Sequence, residues 1–353
     1  MLAFFLSFLF AFLLAPVVIR LYKRQGWLDD PAHNTHVKKT HTTAVPRGGG
    51  LVIFFAVLAC SLLFLQFDQY LLAILTGALL LTIIGFLDDI LDLHPFPRLA
   101  INGLAALIVV GSGIGIAYIS NPFSSGVLML DQPRLTLSFL GETRSIWVLA
   151  DLFAVFFIIW NSNIVNWSKG VDGQLPAFSM VALVFVGLLS LRFFDDPTSF
   201  NTAQLAFIVA GAFAGLLPWN WFPQKIMPGY GAGSLAGFFL GVLAILSGAK
   251  LATTLMVLAI PTADAVFTIV RRLHAGKSPF WGDRGHLHHK LFDTFGWSRQ
   301  KIAIFYGISS VALGFLSLYL NTVGKLLTIA ITMSLVFGLL SWIKIKKSTQ
   351  KKI

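Results

Sequence analysis

Eleven apolar runs decide what this chain can become. They lie near residues 2–20, 49–66, 70–87, 99–119, 146–164, 177–193, 204–221, 234–248, 251–270, 302–322 and 325–343. A helix that crosses a bilayer needs roughly 17–25 mostly apolar residues. With no water in the hydrocarbon, such a segment must satisfy its own backbone, which a helix does. Composition agrees, since 56% of the residues are hydrophobic and only 12% are charged, against about 25% charged in soluble domains. The expected fold is therefore an all-α polytopic membrane protein of about 11 transmembrane helices, residues 1–353 forming one integral-membrane domain. Water-soluble classes are excluded. The first run lacks a basic leader and an A-x-A cleavage site and reads as a retained helix. Gly248 is the clear break within 234–270. Cys60, the single cysteine, lies in an apolar run and excludes an intrachain disulfide and a cysteine-based metal site.

Lys and Arg set the orientation. With the N-terminus outside, 21 of the 26 basic residues fall in inside segments and 5 outside, which favours N-out, C-in. The inside loops are then 21–48, 88–98, 165–176, 222–233 and 271–301. The net charge of +11 points to anionic lipid or substrate, not to nucleic acid. On the other side, alternation over 126–139 around Asp131-Gln-Pro-Arg134 predicts a small extracytoplasmic β-hairpin.

The polar motifs all fall on the inside. The densest runs from Gly282 to Lys290 and holds Asp283, Arg284, His286, His288 and His289. The first inside loop carries Lys38, Lys39 and His41 ahead of Pro46-Arg47-Gly-Gly-Gly50, where cations adjoin exposed N–H groups suited to phosphate. The third run ends in Asp88-Asp89-Ile-Leu-Asp92. In a helix, Asp88 and Asp92 share a face, and carboxylates at a membrane edge need a cation or water. Hard oxygen donors of this kind suit Mg²⁺ on a phosphorylated substrate. Asn163 and Asn166, one helical turn apart, can read a base or ligate a cation. Asp264 lies inside the ninth run, as a functional acid or a packing hydrogen bond. A transporter would line a mid-membrane path with charge; here the charges gather at the inner ends.

Taken in order, these motifs make the chain resemble the polyprenyl-phosphate N-acetylhexosamine-1-phosphate transferases over essentially its whole length. The resemblance rests on Lys38-Lys39-x-His41 with Val45-Pro46-Arg47, on Asp88-Asp89-x-x-Asp92, on Asn163-x-x-Asn166 followed by Gly170-x-Asp172-Gly173, and on Arg271-Arg272 leading to Asp283-Arg284-x-His286-x-His288-His289. The last block looks most like the GlcNAc-1-phosphate branch. The resemblance implies transfer of an N-acetylhexosamine 1-phosphate from a UDP-sugar to undecaprenyl phosphate, starting a cell-envelope glycan, at the cytoplasmic face of the plasma membrane, with Mg²⁺ or Mn²⁺. A homodimer is left open. It also implies roles. Asp88, Asp89 and Asn166 would hold the metal, and either aspartate can position the lipid phosphate or act as a base. Asp172 and His288 would be catalytic. Asn163 would bind nucleotide, Arg98 the lipid phosphate, and Arg284, His286, His288 and His289 the diphosphate. Lys38, Lys39, His41, Asp92 and Lys169 complete the expected substrate contacts.

Two positions depart from the family pattern. Lys169 stands where the family usually has Asp, and Gly231 where it usually has another. The expected site is about three charge units less negative for it. A relative that binds nucleotide sugar or lipid carrier without turnover is the alternative reading.

Overall fold

The computed structural model describes residues 1–32, 41–121, 126–139, 142–193, 195–248, 251–279 and 283–350, apart from the side chains at 137–144, 193 and 347–350. Lys38, Lys39 and Gly282 lie outside the described residues.

The chain is built on helices: α1 (Leu2–Gln25), α2 (Gly49–Phe64), α3 (Gln69–Leu91), α4 (Pro95–Gly111), α5 (Val148–Trp167), α6 (Gln174–Ser190), α7 (Pro197–Asn220), α8 (Gly229–Leu246), α9 (Leu251–Val257), α10 (Ala259–His274), α11 (Leu287–Phe295), α12 (Arg299–Tyr319) and α13 (Thr322–Gln350). Each apolar run holds a helix. Among the described residues seven helices are long and apolar enough to cross a membrane, or eight if the bent pair α9–α10 counts as one span. The apolar helices α2, α4 and α6 are shorter. Outward-facing Phe5, Leu9, Leu13 and Val17 on α1 are exposed, as a lipid-facing surface requires.

Local chemistry sets the helix ends, and the ends set the site. The Asp68 carboxylate accepts from Leu71 N at 2.7 Å to start α3, and Asp196 accepts from Ser199 N at 2.9 Å to start α7. Pro95 opens α4, four residues before the run at 99–119, and the helix ends at Gly111. Pro261 explains the bend within the ninth run. Without an N–H it cannot bond the carbonyl of Val257, four residues back, and α9 and α10 meet there at 79°. Gly248 is thus one of two breaks.

Helix α8 is the centre of the bundle, with every residue from Gly229 to Ile245 buried. Its glycines let neighbouring backbones come close. Gly231 packs on Gly50 of α2 and Gly85 of α3, and a Cβ on Gly85 would overlap Gly231 Cα. Backbone cannot step aside as a side chain can. Gly85→Ala is therefore expected to destabilise the protein by about 1–3 kcal/mol, read as a lower melting temperature in detergent. An unchanged melt would show that these helices slide freely.

The hairpin expectation is corrected. The stretch 126–139 does not pair with itself. Strand β3 (Tyr118–Ser120) pairs with β4 (Val127–Met129), and β5 (Arg134–Phe139) pairs with β6 (Glu142–Trp147), both antiparallel. Arg134 instead folds back onto the Asp131 carboxylate and carbonyl.

Candidate active site

The ends of α3, α5 and α10 meet the starts of α4, α8 and α11 around a polar cavity of about 610 Å³. Its lining includes Asp88, Asp89, Asp92, Arg98, His41, Asn163, Asn166, Lys169, His286, His288 and His289. Most residues expected from the sequence are thus brought together.

On the acidic side, Asp88 Oδ1 accepts from Arg98 Nη1 at 3.0 Å and from Leu93 N at 3.1 Å. Asp89 Oδ1 accepts from Tyr230 N at 3.1 Å, at the positive end of α8, where a carboxylate is favoured. Asp92 departs from expectation. It follows the last residue of α3 with φ 51 in the left-handed region, so it shares no helix face with Asp88. Its side chain is 71% exposed and lies 3.7 Å from Arg47 Nη1. Lys169 Nζ donates to Gly229 O at 2.6 Å. Burial lowers the pKa of this ammonium, and Asp89 and Asp88 pull the other way; an incoming anion would add to that pull.

Three buried histidines face the acids. Asp264 anchors them, with Oδ2 3.0 Å from His286 Nδ1 and Oδ1 accepting from Leu287 N at 2.7 Å. His286 Nε2 lies 3.3 Å from Arg272 Nη2. Since Arg272 can only donate, the network assigns the His286 proton to Nδ1. Arg272 and Arg271 also bind Asp283. Burial raises the Asp283 pKa, but its arginine bonds outweigh this and hold it well below the carboxylate range. His288 packs on Gly170, where a Cβ would overlap its ring. The Nδ1 atoms of His288 and His289 are buried without a partner among the described residues. In the first turn of α11 the N–H groups of both also lack an intrahelical acceptor.

Burial, with the neighbouring histidines and Arg284, pushes His288 well below the ordinary imidazole range, and burial and Arg284 lower His289 to about 4. Both rings are therefore neutral near pH 7. A ring neutral in the fold and protonated when unfolded weakens the fold as pH falls from about 6.5 toward 4. For His289 this is on the order of 3 kcal/mol. Melting temperature is expected to fall across that window, and less steeply in His289→Gln. Parallel slopes would refute the assignment.

Two expected residues stand off the cavity. Asp172 lies behind it, accepting from Gln224 N at 3.3 Å and facing Arg299 at 3.8 Å. Burial raises its pKa against Arg299. Arg284 forks onto Asp293 at 2.7 and 2.9 Å. Two contributors, Asp29 and Tyr230, had no role in the sequence reading. Arg47 binds Asp29 at 2.7 and 3.0 Å, and the Tyr230 ring lies 5.1 Å from Arg98 and 5.7 Å from Lys169. Asp264 within the ninth run and the Arg271-Arg272 pair ahead of Asp283 were the signals for the anchoring cluster.

Among the described residues no group of three or more His, Cys, Asp or Glu could hold a divalent ion. Asn166 Oδ1 is buried without a partner, but it is closed off against Gly233. Asp88 is already paired with Arg98, and Gly231 packs between glycines. The expected trio Asp88, Asp89 and Asn166 does not make a complete ion cage.

A polytopic helical membrane protein with a cavity of arginines, carboxylates and neutral histidines at converging helix ends is of a class suited to phosphorylated ligands. The family model described as "Glycosyl transferase family 4" matches residues 71–248, from α3 to the end of α8, and the chain belongs to that family. It is 27% identical over 352 residues to the probable undecaprenyl-phosphate N-acetylglucosaminyl 1-phosphate transferase of Bacillus subtilis, covering 97% of this chain and 90% of that one. It is 30% identical to the undecaprenyl-phosphate alpha-N-acetylglucosaminyl 1-phosphate transferase of Haemophilus influenzae, covering 88% and 84%. It is 26% identical to the phospho-N-acetylmuramoyl-pentapeptide-transferase of Acetivibrio thermocellus, covering 90% and 95%.

Proposed function

We propose that this protein transfers N-acetylglucosamine 1-phosphate from UDP-GlcNAc to undecaprenyl phosphate, releasing UMP and starting a cell-envelope glycan. A lipid phosphate oxygen forms a bond to the donor's β-phosphorus. The bond from that phosphorus to the bridging oxygen breaks, and the oxygen leaves with UMP. Such chemistry asks for position and charge neutralisation more than for covalent help.

The carrying observation is the two-sided cavity. Arg98, held by Asp88, and Lys169 supply positive charge on one side. On the other, His288 and His289 offer ring and backbone N–H groups without adding charge. Arg98 would meet the lipid phosphate, and the diphosphate would lie between Lys169 and the histidine side, where His288 packs on Gly170. The attacking phosphate is already largely ionised near neutral pH, so Asp89 would orient it only through a cation shared between the two. A Mg²⁺ or Mn²⁺ ion would be held chiefly by the diphosphate.

The eleven apolar runs support about eleven crossings, and the split of Lys and Arg supports the N-terminus outside and the C-terminus inside. On that reading the cavity opens at the cytoplasmic face of the plasma membrane. The test incubates membranes containing the protein with undecaprenyl phosphate and radiolabelled UDP-GlcNAc, with His288→Ala alongside. Lipid-linked label is expected from wild type, with at least a tenfold loss in the variant. Label only with another UDP-sugar would change the donor and keep the reaction. No label with any donor, from folded protein that binds UDP, would make it a binding relative.

A further inference from the structure

The charges lining the cavity are almost all spent on one another. Arg47 is taken by Asp29, Arg98 by Asp88, and Arg272 by Asp283. Lys169 is the exception among the described lining residues, with no carboxylate within salt-bridge distance. One of its N–H groups is bound to Gly229 O at 2.6 Å; the other two have no acceptor there. Asp89 is its counterpart, bound to Tyr230 N and without a cation at ion-pair distance. This cation and carboxylate, which act on each other without touching, flank one residue, Gly229, at the start of α8. A Cβ on Gly229 would overlap Asp89, so backbone and carboxylate are in direct contact there.

We propose that Lys169 is a tethered cation for the diphosphate of the nucleotide donor, supplying from a fixed ammonium part of the charge that a divalent ion would bring. The inference rests on the transferase reading and goes beyond it. A phosphate oxygen fits a Lys as a point charge. The ammonium is held in place by Gly229 O, so little ordering remains to be done on binding. The incomplete ion cage and the uncommitted ammonium are two views of one arrangement: the position that lacks a ligand for a metal holds a positive charge of its own.

The test is calorimetric binding of UDP to purified protein in detergent, in EDTA and then in excess Mg²⁺. Wild type is expected to bind in EDTA within about threefold of its Mg²⁺ affinity. Lys169→Met is expected to lose at least tenfold in EDTA and to regain part of it with Mg²⁺, while Lys169→Arg stays near wild type. Loss of wild-type binding in EDTA with recovery in Mg²⁺ overturns the inference and leaves the transferase reading standing. Equal binding by Lys169→Met and wild type in EDTA also overturns it. Absence of UDP binding by wild type under both conditions removes the nucleotide reading, and this inference with it. If Lys169→Met does not fold, the wild-type comparison between EDTA and Mg²⁺ decides alone.

Discussion

Asp264→Asn is expected to lower transferase turnover on the order of 10²-fold with only a modest loss of stability. The reasoning concerns one proton. In the wild type, Asp264 accepts from both His286 Nδ1 and Leu287 N, and His286 Nε2 accepts from Arg272. An Asn can keep the bond from Leu287 N through its oxygen. Its amide N–H then faces His286 Nδ1 and drives the ring proton to Nε2, against the Arg272 guanidinium, which cannot accept it. Both side chains are buried, and leaving such a donor unmatched costs about 1–3 kcal/mol. Relief comes from moving His286, the residue before the first turn of α11, and that displaces His288 and His289. Displacing reacting groups by about 1 Å can cost 10²-fold in rate. Steady-state kinetics and thermal melting on the same preparation check both halves. Full turnover in Asp264→Asn would show that the histidine block does not need this anchor.

Asp88→Asn is expected to be at least as damaging to turnover, with no measurable loss of fold. One oxygen, Oδ1, takes both bonds, from Arg98 and from Leu93 N. The carbonyl oxygen of an Asn can occupy that place and keep both donors satisfied. Only the charge is lost, and charge-assisted bonds are roughly twice as strong as neutral ones. Arg98 would then be held less tightly beside Tyr230 and its charge would go unbalanced, and disturbing such an electrostatic group costs about 10²–10³ in kcat. The expected signature is a drop in kcat with an unchanged melting temperature. A variant that fails to fold would instead place Asp88 in the framework. A variant with wild-type kcat would remove it from the chemistry.

The helices were legible because each must hide its own backbone, which writes a long apolar run into the sequence. The acidic end of α3 was legible for a related reason, since carboxylates at the edge of such a run stand out. What could not be read was three-dimensional pairing. Asp92 follows Asp88 at helical spacing, yet α3 stops at Leu91 and the left-handed backbone at Asp92 turns its side chain outward. Nothing in the spacing shows where a helix without a glycine C-cap will end. Asp172 stands beside the glycines of its motif, yet Gln224, fifty-two residues on, sits between it and the cavity. Arg47 and Asp29 meet across a loop whose intervening residues carry no periodic signal. The bend at Leu258 was hidden in plain view, because Pro261 falls within an otherwise continuous apolar run.

The contact of Gly231 with Gly50 and Gly85 bears on how this site can change over generations. A Cβ on Gly231 would stand 3.2 Å from Gly50 Cα and 3.6 Å from Gly85 Cα, and beyond it there is backbone in place of solvent. An acid can be exchanged for glycine at such a position in one mutational step. A Cβ alone would need α2 to give by a few tenths of an ångström, and a carboxylate beyond it would need more room than the three glycines leave. Any side chain at position 231 therefore competes with the closeness of three helices, and the absence of a carboxylate there and the tight approach of α2 and α3 to α8 are one structural choice.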